Sequence, residues 1–109
     1  MAKKTFQKGV SMFLPDMIEY SAGGVISKQI LKNKAGNITL FSFDKGQGLS
    51  EHEAPFDAVV QILDGKADIT IDGQTVSLQA GETVIMPADI PHALHAPKKF
   101  KMLLTMIKG

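Results

Sequence analysis

The chain reads as all-β, a sandwich or barrel of short antiparallel strands. Three observations predict this. Beyond residue 24 the apolar residues fall in short runs rich in Val, Ile, Thr and Phe, with no helical period of useful length. Turn residues break these runs at close spacing. Among them are Asp64–Gly65 and Asp72–Gly73, dipeptides that favour positive φ and suit tight hairpins. Finally, no connection is long enough for the crossover that parallel neighbours need, so pairing is antiparallel. Pattern alone leaves sandwich and closed barrel both open.

Residues 1–24 form a lead-in, and residues 25–109 form the β domain. Within the lead-in, "PDMIEYS" suits a helical turn, because Pro15 fits a first helical position. Its apolar residues Val10, Met12, Phe13, Leu14, Met17 and Ile18 are too many for a free tail. They are expected to cover the β domain or a second subunit. "GGVISKQILKN" then opens a β run at Val25. After it come "NITLFSFD", "DAVVQILDG", "KADITID", "QTVSLQ", "TVIMP", "HALHA" and "KMLLTMIK". The hairpin signal is clearest in "ADITIDGQTVSL", where apolar and polar residues alternate on both sides of Asp72–Gly73. Met86, Met102 and Met106 are read as flexible core filler.

A chain of 109 residues, 44% hydrophobic and 21% charged, is one globular domain able to bury a core without staples. It has no cysteine, which excludes disulfides, Cys-based zinc sites and thiol catalysis. A net charge of +1 supplies no field for nucleic acid or an anionic membrane. Lys3–Lys4 and Lys98–Lys99 are read as solvated surface. No apolar run approaches the ~18 residues of a membrane span. The first 20 residues lack the apolar core of a secretory signal, so the cytoplasm is the expected compartment.

One stretch carries chemistry. In "LSEHEAPFDAVVQILDG", His52 stands between Glu51 and Glu53, ahead of a proline and an apolar run. On a regular strand, residues 52, 54, 56 and 58 share a face reading His, Ala, Phe, Ala. That is an apolar pocket wall with one polar group, the usual character of a small-molecule site. No nucleophile constellation or phosphate-cradling loop stands out. Tyr20, the only tyrosine, lies in the lead-in and is not expected to act as an acid.

The order of these pieces resembles the cupin superfamily, in its small single-domain, RmlC-like form. The resemblance runs from about Ile38 to Ile107. The family's first block is glycine, five residues, His-x-His, three or four residues, Glu, six residues, glycine. Here Gly46 leads to His52 and the block closes at Gly65, but Ala54 and Ala58 stand at the second histidine and the glutamate. The second block is glycine, five residues, Pro-x-Gly, two residues, His, three residues, Asn. Here Gly81 leads to Pro87 and His92, with Asp89 at the glycine and Ala96 at the asparagine.

The resemblance implies a double-stranded β-helix, or jelly-roll barrel, whose pocket holds a metal in many members. His52 and His92 match two of the four ligand positions. A third donor would have to be His95, Asp57 or Glu53, each of the wrong parity on a regular strand. One divalent transition metal (Zn, Fe, Mn, Ni or Cu) or none is expected. The pocket residues implied are His52, Ala54, Phe56, Ala58, Met86 and His92. Three functions follow. The favoured one is a small cupin binding a small organic ligand, with or without a weakly held metal. The others are a metal-dependent dioxygenase or isomerase using His52 and His92, and a non-catalytic interaction module. Stand-alone cupins of this size resemble proteins that pair, so a C2 homodimer is expected.

Overall fold

The computed structural model describes residues 5–108. A single 3-10 turn, Leu14–Asp16, precedes eight strands. These are β1 (Val25–Asn33), β2 (Gly36–Phe43), β3 (Gly48–His52), β4 (Asp57–Ile71), β5 (Gln74–Gln79), β6 (Thr83–Met86), β7 (His92–His95) and β8 (Phe100–Ile107). Every pairing is antiparallel. The order is β1-β2-β8-β4-β7-β3, with β5 and β6 also bonded to β4. The strands form a curled sheet of jelly-roll type, the fold class the sequence predicts. Among the described residues no helix is long and apolar enough to cross a membrane.

Strand β4 turns the sheet over the core. Residues 57–65 pair with β8 and, over 58–61, with β6, whereas residues 66–71 pair with β5 and, over 68–71, with β7. The change falls at Gly65, whose φ is 78°. Just before it the register against β8 shifts between Ile62 and Asp64, a bulge that bends and twists the strand. The expected hairpin at Asp64–Gly65 is therefore corrected. Only the glycine enters the left-handed region, and the ladder continues through Gly65 opposite Phe100. At Asp72–Gly73 both residues have positive φ, 51° and 79°, and the strands rejoin with Ile71 opposite Gln74. That is the I′-type hairpin the dipeptide favours.

A second correction concerns residues 52–58. No regular strand runs through them: β3 ends at His52, β4 begins at Asp57, and Glu53–Phe56 are irregular. Pro55 has no N–H to give to a ladder, so pairing stops there. Strand β3 was not among the expected strands. Its "GLSEH" holds one large apolar residue, Leu49, and shows no alternation to read.

The core fills the concave side. Phe43 and Phe100 stack with ring centres 4.5 Å apart, and Val60, Ile62, Ala67, Ile69 and Met102 are buried around them. Met86 and Met102 fill this core and Met106 rests against it, as expected. On the convex side, Leu40 and Ser42 alternate with Phe41 and Phe43 and are themselves buried. The lead-in covers them. Ile18 is buried, Ser42 Oγ donates to the Glu19 carbonyl at 2.7 Å, and Lys28 Nζ donates to the Met17 carbonyl at 3.0 Å. Lys101 Nζ donates to the Pro15 carbonyl.

Tyr20 completes the clamp by donating to Asp64 Oδ2 at 2.6 Å, with the Lys99 and Lys101 ammonium groups over its ring. Burial, then the bond to Asp64, push its phenol well above the ordinary tyrosine range. It stays protonated as a fastening. The lead-in is only partly absorbed: Val10 is 53% and Phe13 68% exposed. Lys98 and Lys99 are exposed as expected, while Lys3–Lys4 lie outside the described residues.

Gly65 and Gly73 share a left-handed φ but differ in surroundings. A Cβ at Gly65 would stand 1.9 Å from the Lys99 carbonyl oxygen, whereas one at Gly73 meets nothing within 4 Å. Gly73→Ala should cost about 1–2 kcal/mol, the left-handed penalty alone. Gly65→Ala should cost that plus about 1–3 kcal/mol of steric strain. Urea unfolding of both variants checks the difference.

Candidate functional site

His52 ends β3 and His92 begins β7, and the two residues are partners in the ladder. Ile71, the last residue of β4, is the partner of His92 on the other side. Side chains of ladder partners lie on one face, and here the rings meet edge to face with centres 4.3 Å apart. The two Nε2 atoms are 3.0 Å apart. His92 is buried, at 5% exposure, while His52 faces solvent.

The other nitrogens fix the tautomers. His52 Nδ1 lies 2.7 Å from the Ser50 carbonyl and His92 Nδ1 lies 3.2 Å from the Ile90 carbonyl. A carbonyl only accepts, so each Nδ1 carries a hydrogen. In neutral rings both Nε2 lone pairs then face one another. At 3.0 Å that contact is attractive only with a proton or another positive centre between them. Burial first, and then the charge of His52, hold His92 below the ordinary imidazole range, against the opposing pull of the Ile90 carbonyl.

Two loops carry this pair. The irregular Glu53–Phe56 segment lies against the turn that follows β6. Asp89 N donates to the Ala54 carbonyl at 2.8 Å, and Ala88 N donates to Asp57 Oδ1 at 2.8 Å. Asp89, where the resemblance expects glycine, has φ 63°. Aspartate is among the few residues that enter this region readily, which explains how it replaces glycine.

The remaining site residues are distributed as follows. Ala54 and Phe56 are half-buried in the loop, and the Lys108 ammonium lies 5.9 Å from the Phe56 ring centre. Ala58 and Met86 are ladder partners buried in the core. His95 is exposed on β7 while its neighbours Leu94 and Ala96 are buried, the parity its spacing implies. Glu53 is exposed, and Asp57 is engaged with Ala88. Among the described residues no three His, Cys, Asp or Glu side chains stand together where they could hold a metal. Surface clefts lie elsewhere, one of about 230 Å³ along the β1–β2 hairpin and one of about 420 Å³ beside Gly65 and Lys99.

The fit to a metal can be tested on these distances. Nitrogens 3.0 Å apart, each about 2.0–2.1 Å from an ion, subtend about 90–97° at it. The pair thus fits two adjacent coordination positions. It does not fit a site with three protein ligands, because the third donor is missing. Sequence reasoning found both histidines through the family spacing. It missed the ties Ala54–Asp89 and Asp57–Ala88, for which loop residues give no periodic signal.

A small jelly-roll barrel with one histidine from each of two signature blocks, paired where β3 meets β7, defines the cupin class. The chain belongs to the cupin domain family, Cupin_2, whose model matches residues 39–108. A conserved protein of unknown function from Streptococcus pyogenes is 37% identical, with a TM-score of 0.91 over 100% of this chain and 96% of that one. A cupin superfamily protein from Desulfitobacterium hafniense is 30% identical, with a TM-score of 0.90 and 100% of both chains covered. The uncharacterized protein SCO3923 of Streptomyces coelicolor is 28% identical over 67 residues, 62% of this chain and 64% of that relative's length.

Because His92 is held below its ordinary range when folded, the unfolded chain binds more protons between the two values. Stability should therefore fall as pH drops through about 6.5 towards the depressed folded value. Thermal melts at pH 7.5 and 5.5 should show this loss, and His92→Gln should reduce it.

Proposed function

We propose that this cupin binds a small organic ligand at the His52–His92 pair, at the rim of the barrel where His52 meets solvent. One observation supports the reading above others: both Nδ1 atoms are committed to carbonyls, so both Nε2 atoms offer a lone pair to one point. Such a point receives an O–H or N–H group of a ligand, or a divalent ion that the ligand helps to hold. On this reading the loop that follows His52, with Ala54 and Phe56 half-buried in it, would supply apolar contacts to the ligand. Ala58 and Met86 lie in the core. With two protein donors, a metal would be weakly held and exchangeable. An oxygenase or isomerase would need a third donor from His95, Asp57 or Glu53, and the positions of these side chains do not favour it. On this reading the binding unit is a homodimer.

Metal content of tag-free protein, purified without chelator, should be well below one equivalent by elemental mass spectrometry. NMR of the ring nitrogens during a screen of small O–H and N–H compounds should move His52 and His92 together, and His92→Ala should abolish the response. One tightly held equivalent of metal would overturn the two-donor account in favour of the enzyme reading. Ring signals unmoved by every compound would overturn ligand binding at the pair.

A further inference from the structure

The outer face of the sheet is only half covered. The lead-in lies over Leu40, Ser42, Lys28 and Lys101. One row further along, five ladder partners cross β6, β4, β8, β2 and β1: Ile85, Val59, Thr105, Ile38 and Leu31. Ile107 lies two residues on along β8. The row holds no charged side chain. Ile85 is 60%, Leu31 50% and Ile107 56% exposed. Alternation should have made this outer row polar.

We propose that this stripe is where two copies of the chain meet face to face, with Val10 and Phe13 of each copy completing the contact. The inference rests on the homodimer reading and adds its surface. Five strands at about 4.8 Å, two residue rows deep, give about 340 Å² of stripe, against about 800 Å² per partner in a standard interface. The stripe alone is too small. The same molecule carries the remainder beside it: Val10 shares a cleft with Ile30 and Leu31, and Phe13 is the most exposed large apolar residue described. A two-fold axis would set each projection beside the other copy's stripe. The molecule is flat, 43 × 33 × 22 Å, so its broad face has room for both. Edge pairing is the less suitable mode. Strand β1 is bulged between Gln29 and Leu31 and carries Lys28 and Lys32, features that blunt an edge.

Sedimentation equilibrium of the full chain at about 10 μM, repeated after tenfold dilution, reads the state. The wild type should weigh twice the chain mass. Leu31→Glu with Ile85→Glu should give the single mass with an unchanged far-UV spectrum, and Phe13→Asp should weaken pairing at least tenfold. A monomeric wild type would overturn the homodimer reading and the surface with it. A dimer indifferent to these substitutions would overturn the surface alone. Should the double variant not fold, methyl NMR signals of Leu31, Val59 and Ile85 in the wild type are followed on dilution. They should shift as pairs separate, and signals unmoved while the mass halves would reject the surface. Ligand response of the ring nitrogens in the monomeric variant keeps this outcome separate from binding at the histidine pair.

Discussion

Strand β4 must serve both faces of the barrel without breaking. It bonds to β5, β6, β7 and β8, and it does so by changing partners at one residue. A break there would leave two small sheets, each with too little apolar area to exclude water on its own. The left-handed glycine and the bulge before it bend the ladder and shift its alternation by one residue, so that Ala58, Val60 and Ile62 before the bend and Ala67 and Ile69 after it are all buried. The aromatic stack of Phe43 on Phe100 fills the space beneath that bend, since Phe100 is the ladder partner of Gly65. The C-terminal end of the same strand then sets Ile71 beside His92.

The fold was legible because its information is repeated. Short runs of β-branched and aromatic residues, glycine punctuation and one I′ hairpin all point to the same class. Boundaries were legible only where local chemistry is decisive. Asp72–Gly73 turns because both residues can enter positive φ and nothing competes. Asp64–Gly65 has the same letters, yet long-range pairing with β8 overrode the local preference. Strand β3 escaped notice because an edge strand with one neighbour need not alternate.

The site divides in the same way. Spacing against the family blocks located His52 and His92, and their ladder pairing followed from the fold. What spacing could not give was the behaviour of residues 53–56. A regular strand would have aligned Ala54, Phe56 and Ala58 with His52. Instead Pro55 lies in a loop that hydrogen-bonds to the turn at Asp89, and only Ala58 returns to the inner face. The parity argument against His95 held because β7 is regular there.

Among the described residues strand β3 has a single partner, β7, and after Leu49 its register slips before closing again at His52 opposite His92. The imidazole contact is thus the last rung of an edge that would otherwise fray. Whatever sits between those two nitrogens is bonded to both sides of that edge. Its binding free energy is then also resistance to peeling, so occupancy at the rings and mechanical closure of the barrel margin are one equilibrium seen from two ends.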